Sequence, residues 1–202
     1  MRIKTHIKHN LIVYMAVGAL LFCGLLFGLA APVTMEETTT EQIKTYIGNY
    51  LQTLPDASLD QVGELWRAFR FNGLLLLLVF LFGMHLLGIG GITAVLIYKG
   101  FTLGYAMGFL LNYQGISGFL IILFSILPQN LLFLPVLAYF SIAASAQSIT
   151  LWQSSVFSFG DKKNNLLLYG KTFFLSGVIT FLGAVLQGYL CPLLLKLLFI
   201  IL

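Results

Sequence analysis

Residues Lys99–Pro135, KGFTLGYAMGFLLNYQGISGFLIILFSILPQNLLFLP, place one lysine, three glycines at four-residue spacing (Gly100, Gly104, Gly108) and two prolines in an apolar run. The first proline opens Pro128-Gln129-Asn130 and the second is Pro135. Lipid accepts a charge, an amide pair and prolines only where neighbouring protein or a water-filled cavity receives them. The stretch therefore belongs to the interior of a polytopic membrane protein.

Composition agrees. Of 202 residues, 59% are apolar and 9% charged, against roughly 25% charged in an ordinary soluble domain. No short alternating segments separated by turns mark the strands of a barrel. The sequence predicts an all-α integral membrane protein, a single membrane domain over residues 1–202. It should be a polytopic bundle of about five transmembrane helices, with a short re-entrant or interfacial segment and an extracytoplasmic helical hairpin.

Working outward, residues 1–10 form a basic tail with Arg2, Lys4 and Lys8. The first span is Leu11–Ala31, longer than the roughly 7–15-residue core of a cleaved signal peptide, which favours an uncleaved anchor. Residues 32–71 form the outside loop. The remaining spans read Asn72–Leu87, Ile92–Leu111, Asn130–Ile149 and Thr172–Leu190, with an apolar tail over residues 191–202. Ile116–Leu127 is too short to cross, which makes it the re-entrant or interfacial piece. Lysines 162, 163 and 171 join the basic tail on one side, whereas six acids crowd residues 32–71. The positive-inside rule then puts the N-terminus in the cytoplasm. The net charge of +4 follows from topology and calls for no nucleic acid. Cys23 and Cys191 fall at different depths and read as buried free thiols.

The outside loop is patterned. Thr38-Thr39-Thr40-Glu41 fits a capping box, and Ser58-Leu59-Asp60-Gln61 offers a second cap. Between them Ile43, Tyr46, Ile47, Tyr50, Leu51 and Leu54 recur at helical spacing, and Pro55 stops the helix. Trp66 and Phe69 carry an apolar face onward into the next span. Such a stripe either packs on the bilayer and the span ends or docks a partner through Tyr46, Tyr50, Leu54, Trp66 and Phe69. Its acidic polar face favours protein contact over the basic face typical of interfacial helices.

Within the spans, Gly24 and Gly28, and Gly100, Gly104 and Gly108, form small-residue stripes that let helices approach closely, internally or across a homodimer. Lys99 lies ~12 Å into its span. It either snorkels to the interface or meets a polar partner inside the bundle. Pro128 suits the first turn of the fourth span, Gln129 and Asn130 can satisfy backbone groups there, and Pro135 bends or starts the helix proper.

No catalytic set emerges. Gly115-Ile116-Ser117-Gly118 has the Gly-x-Ser-Gly form of rhomboid intramembrane proteases, but no histidine follows Ser117 to act as its base. No metal-ligand cluster or phosphate loop is present in the sequence, so neither an enzyme nor a cofactor is expected.

The order Ile97-Tyr98-Lys99-Gly100-Phe101, Gly104, Gly108-Phe109-Leu110, Leu127-Pro128-Gln129-Asn130 and Pro135 resembles the stage II sporulation protein M family across essentially the whole chain. That resemblance implies a membrane component of the engulfment machinery in endospore-forming bacteria, located in the cell membrane at the sporulation septum. It implies a scaffold that holds two peptidoglycan-degrading partners, stage II sporulation proteins D and P, and leaves the chemistry to them. The rival reading is a permease or channel with a polar path near Lys99, Gln129 and Asn130.

Overall fold

The computed structural model describes residues 11–53, 60–85, 87–153 and 159–201. In chain order these form α1 (Leu11–Ala30), a 3-10 turn (Ala31–Thr34), α2 (Glu37–Thr53), α3 (Gln61–Gly83) and α4 (Gly88–Ile121). A π-helical turn (Ile122–Ile126) leads into α5 (Leu127–Gln153), then α6 (Phe159–Val185), a second π-helical turn (Leu186–Leu190) and α7 (Cys191–Ile201). Among the described residues there is no strand. The protein is an all-α membrane protein.

Among the described residues, four helical runs are long and apolar enough to cross a membrane: Ile12–Thr34, Gln61–Gly83, Gly88–Leu151 and Asn164–Leu197. The third has 64 residues, which as a straight rod would measure roughly 96 Å. It is not straight. Gly115 adopts φ 53°, a left-handed conformation open to glycine because it lacks a Cβ. A Cβ on Gly118 would strike the carbonyl of Leu110, so the chain folds back on the end of α4 after this turn.

The segment Ile116–Leu127, read as a re-entrant or interfacial piece, is continuous with its neighbours. It is helical, and passes through the π-turn straight into α5. Its inner residues Ile121 and Ile122 pack with Leu110 and Leu195, while Ile116 is 83% exposed. Pro128 falls in the first turn of α5, as read, but that helix follows the π-turn without a break. The proline has no N–H, and the wider turn beneath it, closed by Leu127 N–H to Ile122 O, lets the helix continue. The same arrangement recurs before Pro192, where Cys191 N–H bonds Leu186 O. The apolar tail is thus a helical extension of the last span, pinned by buried Leu195.

Among the described residues, the largest buried cluster joins α1, α3, α4, α5 and α6. Leu76, Val79, Ile92, Leu96, Leu137 and Phe140 are all but fully buried, with Tyr169 stacked between Phe140 and Phe80 at centroid distances of 5.5 and 5.0 Å. The Tyr169 hydroxyl donates to the carbonyl of Phe80 at 3.0 Å. This core lies towards the tight turn joining α3 to α4, where Ser148 Oγ donates to His85 O at 2.8 Å. The opposite end carries α2. There the Tyr113 hydroxyl donates to Pro32 O and the Tyr105 hydroxyl meets Met35 Sδ, tying α4 to the turn after α1.

Cys191 is buried, as read, but Cys23 is exposed. It sits on the outward side of α1, because the neighbouring Gly24 faces α4.

Candidate functional site

The glycine stripes meet each other. A Cβ on Gly24 would strike the Ile97 carbonyl, and one on Gly28 the Phe101 carbonyl. Reciprocally, Gly100, Gly104 and Gly108 oppose the carbonyls of Leu21, Leu25 and Leu29. Among the described residues, the α1–α4 seam is the most extensive helix pair. Both stripes are used within the chain.

Directly beside this seam α4 turns Lys99 into the bundle. It is only 6% exposed, and its Nζ donates to Asn72 Oδ1 on α3 at 3.1 Å. The ammonium also lies 4.7 Å from the Phe133 ring centroid and 5.5 Å from that of Phe71, within range of cation–π attraction. Lys99 therefore has an interior partner and does not snorkel. A cavity of about 380 Å³ opens there, lined by Arg67, Asn72, Lys99, Thr102, Gln129 and Gln187 among others. Asn130, on the same wall, is buried and back-bonds to Ile126 O at 2.7 Å. Gln129 Oε1 is buried without a hydrogen-bond partner. Pro135 lies further along α5 on its exposed side.

The structure thus joins Lys99, Gln129 and Asn130. Sequence reasoning missed Asn72 and Gln187 as members of the group. Their signal was an amide inside an apolar run, the same signal that singled out Gln129.

The proposed contact residues fall on two surfaces. Tyr46 projects from α2 and is 75% exposed, while Ile43 and Ile47 on the same helix face α4 and Leu195 across a shallow pocket. Helix α2 begins at Glu37, so Thr38–Thr40 lie in its first turn, where Thr40 N–H bonds Glu36 O. The Lys44 ammonium bonds Glu41 at 2.7 Å, which holds its pKa above the usual lysine value, and lies over the Tyr113 ring. Of Tyr50 only the backbone is described, and Leu54 lies outside the described residues.

Trp66 and Phe69 belong to α3, whose first turn Asp60 caps by accepting from Gly63 N–H at 2.9 Å. Their rings and that of Phe181 form an edge-to-face ladder. With Gly73, Phe174 and Gly177 they line an apolar groove of about 700 Å³ between α3 and α6. Side chains added at Gly73 or Gly177 would meet open space.

These features define a polytopic α-helical membrane protein with an internal glycine-packed helix pair, a polar cavity beside it, and an exposed helix at one end. A family model described as Stage II sporulation protein M matches residues 16–192. The chain belongs to that family of sporulation membrane proteins. Searches of curated proteins and of solved structures returned no match.

Proposed function

We propose that the protein is a non-enzymatic membrane scaffold that holds peptidoglycan-degrading partners at the septal or engulfing membrane during endospore formation. Family membership over residues 16–192 carries this reading. Stage II sporulation proteins D and P are the partners that membership implies. The 64-residue run makes two crossings around Gly115, for five in all, with α2 outside the cytoplasm. Two surfaces suit the role. Helix α2 touches the rest of the chain lightly and presents Tyr46 outward, where a wall enzyme works. The groove of Trp66, Phe69, Gly73 and Gly177 accepts a partner's membrane-anchor helix, because small residues allow close approach in lipid.

The permease reading rests on the cavity at Lys99. A solute path needs an opening at both ends, and the bundle beyond Lys99 is filled by Leu76, Val79, Ile92, Leu96 and Leu137. That packing favours the scaffold.

The test is recovery of partners with the tagged chain from sporulating membranes in mild detergent. Both wall-degrading enzymes should be recovered, and Tyr46→Asp should reduce their recovery while leaving the chain inserted. Recovery of the chain alone would overturn the reading.

A further inference from the structure

The cavity beside Lys99 has a feature that packing does not require: cationic and amide groups gathered in the apolar interior with no carboxylate among the residues that line it. Lys99 forms its floor at 6% exposure. Arg67, its side chain 75% exposed and paired with Glu64 at 3.0 Å, stands at the rim. Glu64 Oε1 accepts from Arg67 and Asp60 Oδ1 accepts from Gly63 N–H at the start of α3, and neither carboxylate lines the cavity. A buried ammonium without a counter-charge costs several kcal/mol. Asn72 supplies one neutral acceptor and two phenyl rings supply their faces; none of these neutralises the charge.

The walls supply donors. Gln187 and Gln129 line the space, and Gln129, whose buried Oε1 has no hydrogen-bond partner, can reorient its amide without breaking a bond to that oxygen. Both π-turns border this cavity, the first through Ile126 and the second through Gln187. Such turns within helices frequently accompany functional sites. Phe71, Leu103 and Ile126 give the remaining wall an apolar surface. A volume of about 380 Å³ leaves room beyond a bare oxyanion for the group that carries it.

We propose that this cavity binds a phosphate group of net negative charge, carried by an anionic phospholipid headgroup or free in solution. Lys99 at the floor neutralises the phosphate, Gln129 and Gln187 donate to its oxygens, and Arg67 at the rim draws it in. The proposal is independent of the scaffold reading.

The full-length chain in nanodiscs of equimolar phosphatidylglycerol and phosphatidylcholine, released into native mass spectrometry, reports the lipid it retains. A phosphorus-31 titration with inorganic phosphate in neutral detergent reports the free anion. Wild type should retain phosphatidylglycerol preferentially, and Lys99→Met should weaken retention at least about tenfold, the loss of one charged hydrogen bond. Lys99-dependent binding of inorganic phosphate without retained lipid assigns the site to free phosphate. If Lys99→Met does not fold, Arg67→Gln and Gln187→Leu give the reading, each expected to weaken retention severalfold. Equal retention of both lipids, with no response to phosphate and no change in the folded variants, overturns the proposal.

Discussion

The α1–α4 seam and the cavity at Lys99 share one helix, and they solve opposite problems. Along the seam, Gly100, Gly104 and Gly108 bring α4 so close to α1 that backbone carbonyls fill the space a Cβ would need. On another face of α4, Lys99, Thr102 and Ala106 line a polar void whose other walls come from α3, α5 and the two π-turns. A dry, backbone-to-backbone contact gains dispersion and tolerates no added atom. A polar void tolerates changes in shape but depends on each charge and amide having a partner. The same helix therefore holds the fold with one face and leaves room for chemistry on another.

The most damaging way to break this contrast is at the seam. Gly28→Leu drives a side chain into the carbonyl of Phe101 and the amide of Tyr105, obstacles that cannot rotate aside. It should cost about 3 kcal/mol or more, seen as a large fall in the melting temperature of the detergent-solubilised chain. At the cavity, Asn72→Leu removes the acceptor of the Lys99 ammonium and should cost about 1–3 kcal/mol. Adding Lys99→Met should recover part of that loss, since the charge left unpaired is then gone. The double variant should melt above Asn72→Leu alone; additive losses would show that the pair is not coupled. The smallest effect sharpens the contrast from the glycine side. Gly73→Ala and Gly177→Ala meet open space and should leave stability unchanged or raise it by up to about 1 kcal/mol, although they are glycines in spans like those of the seam.

The sequence made the seam legible because close packing leaves a periodic signature, glycine every fourth residue on both α1 and α4. It also marked Lys99, Gln129 and Asn130, since polar side chains stand out in apolar sequence. Asn72, the partner of Lys99, was harder to see, because it sits at a span boundary in the sequence reading. Helix α3 in fact runs unbroken from Gln61, carrying Trp66, Phe69 and Asn72 on one rod. The continuity of the helix across Pro128 and Pro192 was not legible, for one physical reason. Proline ordinarily starts or stops a helix, but a π-turn before each lets the chain continue, and hydrophobic periodicity does not reveal a local change of hydrogen-bond register. The fold-back at Gly115 depends on a single backbone conformation, which composition does not encode. Among the contact residues, periodicity placed Ile43, Tyr46 and Ile47 on a helix, but only the structure separates the inward pair from outward Tyr46.

The central claim is that the seam is spent on the fold and the free surfaces on partners. Gly177→Trp tests it most directly, because it fills the groove between α3 and α6 without touching the seam. Recovery of the wall-degrading enzymes with the tagged variant from sporulating membranes is the measurement, with the amount of inserted chain as its control. The account predicts normal insertion and a severe loss of partner recovery. Undiminished recovery with normal insertion would contradict it.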